Sequence, residues 1–314
     1  MARSTSSSVA VPDTPVSGVS GGPFALNLIN ALRPGQWTKN LLVFHGLLFG
    51  MLLFDPSAIA RALAAFAIFC GLSGSVYLVN DILDRDSDRQ HPVKAKRPIA
   101  SGALSVHAAT VSAIVIGAAA FAGSVALGWS FALVAACYLG LQLLYSIVLK
   151  HIVIIDVLAV AIGFVLRAVA GAIAVSVASS HWLLVCTILL ALFIALNKRR
   201  HEITLLAGSA ASHRPILGEY SPYLLDQMIA VVTASTLIAY VFYTISPETQ
   251  QKFGTDWLEL TIPLPLYGIF RYLYLVHRRE GGGDPSELLL TDRALLVCVA
   301  LWVLAVAAII YWPS

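Results

Sequence analysis

The chain has 314 residues, of which 58% are hydrophobic and only 12% are charged, and its mean hydropathy is +0.82. Soluble domains carry about twice that charged fraction, so the composition excludes an ordinary soluble protein. It predicts an all-α polytopic membrane protein built as one bundle. The net charge of +3 comes without a separate basic patch, which argues against nucleic acid as a partner.

The first predicted element is a tail. Residues 1–22 are rich in Ser, Val, Gly and Pro and lack the charged-then-apolar pattern of a signal peptide, so we predict that they are disordered. A single transmembrane domain is predicted over residues 23–314. Apolar runs long enough to cross about 30 Å of hydrocarbon predict nine transmembrane helices, near 40–55, 58–80, 106–127, 129–149, 152–175, 181–197, 226–247, 256–277 and 292–312.

The orientation follows from the basic residues. Most of the 20 lysines and arginines fall in the N-terminal segment and in alternate loops on the same side of the predicted bundle. Positively charged loops stay in the cytoplasm, so the N-terminus is predicted to be cytoplasmic. The two longest loops on that side, 81–105 and 198–225, both open with charged residues.

The end of the second apolar run carries four aspartates within eight residues, where ionisable groups are costly and usually functional. If the helix continues at about 100° per residue, one face about 100° wide carries Tyr77, Asn80, Asp81, Asp84 and Asp88. Such hard oxygen donors suit Mg²⁺, which binds through one or two carboxylates plus substrate phosphates. The alternative is a solvated helix end with Asp–Arg pairs.

Three cations, Lys94, Lys96 and Arg97, follow the aspartates in the same loop. Carboxylates, Mg²⁺ and basic side chains together are what a pyrophosphate-bearing substrate requires, because the metal bridges its oxygens and the cations neutralise the rest. The alternative is a basic loop that touches anionic lipid headgroups.

The end of the sixth run contains Lys198, Arg199 and Glu202, which offer a second anion site opposite the first motif. Two alternatives remain open: a helical ion pair between Lys198 and Glu202, which are spaced i,i+4, and a basic boundary required by topology alone.

A third candidate is Arg167, which lies in the middle of the fifth run between Gly163 and Gly171. A charge at that depth is expected to face a polar cavity and a partner, and the glycines allow close helix packing. A structural salt bridge to an aspartate of the motif is the alternative.

Three further residues, Lys39, Tyr145 and Lys150, are predicted at the same cytoplasmic level. Tyr145 and Lys39 are equally compatible with a position at the membrane interface.

The pattern Asn80-Asp81-x-x-Asp84-x-x-x-Asp88 after the second span resembles the first aspartate-rich motif of the UbiA superfamily of membrane prenyltransferases, over about residues 24–312. The resemblance implies a helical bundle with a cavity open to the membrane and an active site at the cytoplasmic end. Most members carry a second aspartate-rich motif after the sixth span, and two Mg²⁺ ions hold a prenyl pyrophosphate. This chain departs there, because the site reads Lys198-Arg-Arg-His-Glu202.

That departure resembles a narrower branch, the decaprenyl-phosphate phosphoribosyltransferases. The matching stretches are Arg33-Pro-x-Gln36-Trp37-x-Lys39-Asn40, Tyr77-Leu-Val-Asn80-Asp81, His91-Pro-x-Lys94, Arg97-Pro-Ile-Ala, Leu149-Lys150-His151, Leu166-Arg167-Ala, Lys198-Arg199-x-x-Glu202, Arg271-Tyr and Asp292-Arg293. The branch implies a Mg²⁺-dependent transfer of 5-phosphoribose from 5-phosphoribosyl 1-pyrophosphate to a membrane polyprenyl (decaprenyl) phosphate. It also implies a multi-pass enzyme of the bacterial plasma membrane, compatible with a homo-oligomer, whose product feeds arabinan precursors of the cell envelope.

The resemblance also implies roles for the candidate residues. Asn80 and Asp84 would bind Mg²⁺ directly, and Asp81 and Asp88 would bind it directly or through water. Arg167 would act with the three aspartates in catalysis. The residues that would bind the donor or complete its site are Lys39, Tyr77, Lys94, Tyr145, Lys150 and Arg167. Lys198 and Arg199 would hold the acceptor phosphate, with Glu202 orienting them.

Two other functions remain open from the sequence. The first is a UbiA-type prenyltransferase that moves a prenyl group from prenyl pyrophosphate to an aromatic acceptor, against which the missing second acidic motif argues. The second is a non-enzymatic lipid-phosphate transporter, which leaves the clustered aspartates unexplained.

Overall fold

The described chain is helical, and no β-strand occurs in residues 23–206, 215–278, 288 and 291–312, which the computed structural model describes. The tail predicted over residues 1–22 lies outside that range. In chain order the α-helices are α1 (Phe24–Leu32), α2 (His45–Phe49), α3 (Pro56–Leu83), α4 (Arg85–Gln90), α5 (Val106–Leu127), α6 (Trp129–Ile147), α7 (Ile155–Ala174), α8 (His181–Leu206), α9 (Pro222–Ile245), α10 (Pro247–Phe253), α11 (Pro263–Arg278) and α12 (Arg293–Tyr311).

Seven of these helices, α3, α5 to α9 and α12, are apolar and long enough to cross a membrane, counted over the described residues. Each coincides with a predicted span. The other two predicted spans are broken into shorter helical pieces. The first is a 3₁₀ segment, Pro34–Phe44, followed by α2, and the second is a 3₁₀ turn, Trp257–Thr261, followed by α11.

Proline explains where these two segments break. Pro34 opens the first 3₁₀ segment, and Pro263 and Pro265 open α11, where a residue without an N–H group is tolerated only in the first turn. At 1.5 Å per residue, the 16 residues of α11 extend about 24 Å, which is less than the roughly 30 Å hydrocarbon core. The apolar run seen in the sequence is therefore longer than the helix that forms from it.

The long helices begin at well-formed caps. The Asp55 carboxylate accepts hydrogen bonds from the Ser57 and Ala58 N–H groups at the start of α3, at 2.8 and 3.1 Å. Ser221 and Asp292 cap α9 and α12 in the same way. Each cap satisfies N–H groups that the first helical turn leaves without partners.

Helix α7 lies at the centre of the bundle and packs against α3, α6, α8 and the 34–44 segment. A Cβ atom at Gly171 would lie 2.1 Å from the Val43 carbonyl oxygen, so only glycine permits this close approach. The predicted packing role of Gly171 is thereby confirmed. The core beside it contains Phe69, Phe131 and Tyr138.

The charged helix ends gather at one end of the bundle, which we call the polar end and define by Asp84, Lys150 and Arg199. It contains the C-terminal ends of α3, α6 and α8 and the N-terminal end of α7. At the opposite end, Arg61 donates to the carbonyl oxygens of Ala174 and Leu127, at 2.5 and 3.3 Å, and so caps the ends of α7 and α5.

Candidate functional site

The aspartate-rich segment crosses a break between two helices. Helix α3 ends at Leu83, and α4 begins at Arg85 after Asp84, whose backbone is not helical. The Asp88 N–H group still donates to the Asp84 carbonyl oxygen at 2.8 Å. The predicted continuous helix is therefore interrupted at Asp84, although the backbone hydrogen bonds continue through the break.

Asp84 forms one half of the divided motif. One carboxylate oxygen accepts a hydrogen bond from Lys150 Nζ at 2.6 Å, and the other accepts one from Asn80 Nδ2 at 3.0 Å. Lys150 lies on a short 3₁₀ turn, Leu149–His151, between α6 and α7. Asp84 is 30% exposed, so this group brings a carboxylate, an amide and an ammonium together at an accessible place.

Asp81 and Asp88 form the other half, and both side chains are buried. Arg97 Nη1 donates to Asp81 at 3.2 Å and to Asp88 at 2.5 Å, and Arg33 also donates to Asp81. The Arg33 guanidinium lies over the Tyr77 ring, 5.0 Å from its centre, a cation–π contact. Asp81 and Asp88 thus tie the end of α1 and the 91–100 loop to α3 and α4.

The donor set fits a metal that is shared with a substrate. No three His, Cys, Asp or Glu side chains form a metal-binding group within the described ranges. A Mg²⁺ ion held by one or two carboxylates plus phosphates and waters needs no such cage. Asn80 and Asp84 would supply its oxygen donors, because Asp84 is partly exposed although it accepts from Lys150 and Asn80. Asp81 and Asp88 are instead buried against arginines.

Arg167 lies in a buried network of neutral groups and is only 4% exposed. Its guanidinium donates to Asn40 Oδ1 at 2.8 Å, to the Tyr138 hydroxyl at 2.7 Å and to the Gly163 carbonyl at 3.1 Å. It also lies over the Tyr138 and Phe164 rings. None of these partners is a carboxylate, so the alternative of a salt bridge to the aspartate motif is wrong within the described residues.

Arg199 lies in a second buried cluster, but its partners are charged. Each of its three nitrogens donates a hydrogen bond: to Asp156 at 2.8 Å, to Glu202 at 2.7 Å and to the Tyr145 hydroxyl at 3.1 Å. Asp156 is fully buried. Glu202 forms an i,i+3 ion pair with Arg199, one of the two cations that the family resemblance expects it to orient.

Tyr220 completes the Arg199 cluster from the segment before α9. Its hydroxyl donates to Asp156 Oδ1 at 2.7 Å and accepts from the Ile154 N–H group at 2.7 Å. Burial, and then the hydrogen bond to Asp156, raises the pKa of Tyr220 to about 12. A phenol is protonated at neutral pH even at its ordinary pKa near 10, and the raised pKa extends this donor state into alkaline solution.

The structure brings most of the predicted site residues into three groups. Asn80, Asp84 and Lys150 form the first, Tyr77, Asp81 and Asp88 meet Arg33 and Arg97 in the second, and Tyr145, Arg199 and Glu202 form the third.

The remaining predicted residues are Arg167, Lys39, Lys94 and Lys198. Arg167 lies in its own buried network. Lys39 lies on the 34–44 segment, one residue before Asn40. Lys94 begins the 94–96 turn, and Lys198 precedes Arg199 on α8.

The sequence suggested no role for Arg33, Asn40, Tyr138, Asp156 or Tyr220. Arg97 was expected to neutralise substrate phosphate, whereas in the structure it pairs with Asp81 and Asp88. An acid at the start of an apolar span was a usable signal for Asp156, and a tyrosine in the middle of a span was one for Tyr138. Tyr220 carries no local signal, because its partners Ile154 and Asp156 lie more than 60 residues away.

The chain is similar to known proteins over most of its length. The sequence profile described as the UbiA prenyltransferase family matches residues 42–292. The decaprenyl-phosphate phosphoribosyltransferase of Corynebacterium glutamicum is 33% identical over 291 residues, covering 90% of this chain and 86% of that protein. The protein of the same name from Mycolicibacterium smegmatis is 32% identical over 297 residues, covering 91% and 92%.

Solved structures show the same fold. A UbiA homologue from Archaeoglobus fulgidus bound to GPP and Mg²⁺ superposes with a TM-score of 0.70 at 20% identity, covering 91% of this chain and 99% of that chain. A structure of digeranylgeranylglyceryl phosphate synthase gives a TM-score of 0.61 at 15% identity, covering 90% and 97%.

Proposed function

This chain belongs to the UbiA prenyltransferase family, as the sequence predicted, and we propose that it is a phosphoribosyltransferase within that family of transferases. In the proposed reaction, 5-phosphoribose passes from 5-phosphoribosyl 1-pyrophosphate to a polyprenyl phosphate such as decaprenyl phosphate, and pyrophosphate is released. Relatives named for this activity, 30–33% identical over about 90% of the chain, support this choice of donor and acceptor.

The observation that carries the proposal is the Asp84–Lys150 contact at 2.6 Å. It joins a carboxylate from the end of α3 to a cation from the α6–α7 connection, beside the Asn80 amide. A metal–pyrophosphate leaving group requires these two kinds of group together: an oxygen ligand for the metal and a cation for the remaining phosphate charge.

The proposed membrane topology has nine crossings within one domain over residues 23–314. The 34–49 and 257–278 segments would supply the two crossings that are not single long helices. Basic residues at the ends of α3, α6 and α8 support a cytoplasmic polar end. The site would then meet a water-soluble donor from the cytoplasm and a lipid acceptor from the bilayer of a bacterial plasma membrane.

Asn80 and Asp84 would hold a divalent metal, Mg²⁺ in this proposal, with Asp88 and Asp81 contributing if their arginines move. The bound ion would neutralise charge on the departing pyrophosphate. Lys150 would donate to the same phosphates, and Tyr77, Lys94, Lys39 and Tyr145 would complete the donor site. The positive charge of Arg167 would attract the phosphates of the donor, because no carboxylate neutralises this charge among the described residues.

In the reaction, the bond between ribose C1 and the pyrophosphate oxygen breaks, and its electron pair leaves with the pyrophosphate. An oxygen of the acceptor phosphate forms the new bond to C1 from the opposite face, which inverts the anomeric centre. No general base is needed, because a phosphate monoester is already ionised near pH 7. Fixed donors aimed at the leaving group provide the electrostatic part of the rate enhancement.

The end of α8 would form the acceptor side. Arg199 was predicted to bind the acceptor phosphate directly, but its three nitrogens already donate to protein groups. In the proposal Lys198 therefore makes the direct contact, and Arg199 keeps Glu202 and Tyr145 in place. The isoprenoid tail would remain in lipid beside the apolar helices.

The test is turnover by purified protein in detergent with Mg²⁺, radiolabelled 5-phosphoribosyl 1-pyrophosphate and decaprenyl phosphate. We expect label in an organic-extractable product, loss of the product with EDTA and recovery with added Mg²⁺. Prenylation of an aromatic acid from prenyl pyrophosphate, with no phosphoribosyl transfer, would establish the aromatic prenyltransferase instead. Lipid-phosphate binding or movement without pyrophosphate release would indicate the transporter.

Asp84→Asn tests the metal assignment, and Asp86→Asn is its matched control, because the Asp86 side chain is 90% exposed. Loss of a group that stabilises leaving-group charge costs about 10²–10³-fold in turnover, so Asp84→Asn should lose nearly all activity with an unchanged melting temperature. Asp86→Asn should behave as wild type. Full activity of Asp84→Asn would contradict the assignment.

A further inference from the structure

One buried contact links the turn that carries Lys150 to the end of α8. The Tyr220 hydroxyl accepts from the Ile154 N–H group and donates to Asp156, both at 2.7 Å. The second oxygen of Asp156 accepts from Arg199 at 2.8 Å. None of the roles proposed above uses Asp156 or Tyr220, although both are buried at the polar end.

The backbone at Ile154 is held in a conformation that this residue rarely adopts. Its φ is 69° and its ψ is −43°, and a β-branched side chain at positive φ is a genuine outlier. Such a conformation persists only where the surroundings over-determine it, and it is concentrated at functional sites. Tyr220 supplies that constraint, because its hydroxyl receives the Ile154 N–H bond at the residue before α7 begins.

The strained residue lies close to the donor side of the site. Lys150 is four residues before Ile154 and reaches Asp84 at 2.6 Å. A change of backbone conformation at Ile154 would move the 149–151 turn relative to α7, and a pair at 2.6 Å tolerates little displacement. Tyr220 can therefore act on the donor site through Lys150 without touching the substrate.

The same phenol also acts on the acceptor side. By fixing Asp156, it orients the carboxylate that receives Arg199, and Arg199 in turn holds Glu202 and Tyr145. The Asp156–Tyr220 pair thus connects the C-terminal ends of α6 and α8 with the N-terminal end of α7 and the 215–221 segment.

We propose that Asp156 and Tyr220 are positioning residues, which set the Lys150 turn and the Arg199 end of α8 in one shared geometry. The identities of the donor and the acceptor rest on the proposed function, whereas the geometric claim does not. Neither residue touches the reacting atoms in this proposal. Both act through Lys150 and Arg199.

The test compares Tyr220→Phe with Tyr240→Phe. Tyr240 is a matched control, because it is also buried and its hydroxyl contacts Thr261 at 2.6 Å and Trp302 at 2.7 Å, away from the polar end. Misplacement of a binding group by about 1 Å can cost up to about 10²-fold, so we expect Tyr220→Phe to raise the donor KM about tenfold or to lower kcat comparably. Tyr240→Phe should change only the melting temperature. Unchanged kinetics for Tyr220→Phe, with only a shift in melting temperature, would overturn the proposal.

A double-mutant cycle tests the route through Lys150. If Tyr220 acts by placing Lys150, Tyr220→Phe should produce little further loss in a Lys150→Met background, because coupled residues are not additive. Full additivity of the two losses would overturn that route.

Amide hydrogen exchange, measured by mass spectrometry without substrate, separates this inference from the proposed function. Tyr220→Phe should speed exchange in peptides that cover residues 148–156, whereas Tyr240→Phe should not. Faster exchange there in a protein that transfers no phosphoribose would refute the proposed function but support the shared geometry. Unchanged exchange would overturn the geometry whichever reaction the enzyme catalyses.

Discussion

Two buried arginines, Arg167 and Arg199, show opposite ways of keeping a positive charge inside this protein. Arg199 meets two carboxylates, Asp156 and Glu202, so the protein itself balances its charge. Arg167 meets an amide, a phenol and a backbone carbonyl, with two aromatic rings beside it. Hydrogen bonds and cation–π contacts reduce the cost of burial there, but they leave a full positive charge.

The two kinds of partner indicate two different roles for a buried arginine: a structural one and a ligand-binding one. A buried ion pair gains little net stability, but removal of one partner is costly because the other charge stays buried. A buried cation with neutral partners attracts an anionic ligand, since that ligand supplies the missing charge. Arg199 is therefore a structural centre of the polar end, whereas Arg167, whose guanidinium donates only to neutral groups, is the better candidate to attract a phosphate-bearing donor by its charge.

The largest expected effect is that of Arg199→Met, which would remove the guanidinium that pairs with both Asp156 and Glu202. Removing one partner of a buried pair costs about 3–5 kcal/mol, so the free energy of unfolding in detergent should fall by about that amount. The control is Arg200→Met, because Arg200 pairs with the half-exposed Asp226 and exposed pairs contribute about 0–1 kcal/mol. Equal losses of unfolding free energy in the two variants would contradict the structural role of Arg199.

Arg167→Met should affect the donor more than the fold. It leaves neutral groups rather than carboxylates unpaired, so the loss of stability should be smaller than for Arg199→Met. A hydrogen bond to a charged group contributes about 1.5–3 kcal/mol, which corresponds to an increase in donor KM of roughly 10- to 100-fold. Steady-state kinetics that vary each substrate separately would check this, and an unchanged donor KM in a folded variant would contradict it.

Tyr138→Phe tests the ligand-binding role of Arg167 by a smaller change than Arg167→Met. The variant removes the hydroxyl that accepts from Arg167 at 2.7 Å but keeps the ring under the guanidinium. A typical hydrogen bond contributes about 0.5–1.5 kcal/mol, so the donor KM should rise by a few-fold and the acceptor KM should not change. An equal rise in both constants would indicate a general disturbance of the bundle instead.

The smallest effect concerns pH. The pKa of Tyr220 is raised from the ordinary value near 10 to about 12, so the folded state keeps the phenol protonated where the unfolded state loses the proton. The resulting stability is fully present below pH 10 and is lost as the pH rises to about 12. Thermal unfolding of the wild type and Tyr220→Phe across this range should show a weaker pH dependence in the variant. Parallel curves would exclude this contribution.

Local sequence patterns were sufficient to predict the long helices and to identify the family. Long apolar runs predicted all seven of the long apolar helices found in the described residues, because burial in lipid requires continuous apolar sequence. The aspartate-rich segment identified the family since its residues are close together in the sequence, although the structure divides them between α3 and α4. The two remaining predicted spans differ from single helices because proline at Pro34, Pro263 and Pro265 limits where a helix can begin.

What the sequence by itself determined is therefore the class of the protein, its helices and the residue types that its chemistry uses. The tertiary structure alone decided which partner each charge meets. Arg33 and Arg97 form ion pairs with Asp81, and Lys150 forms one with Asp84. Arg167 donates a hydrogen bond to Asn40, which is 127 residues away in the chain. The physical reason is that helical periodicity orients a side chain around its own helix, whereas its partner depends on how separate helices pack.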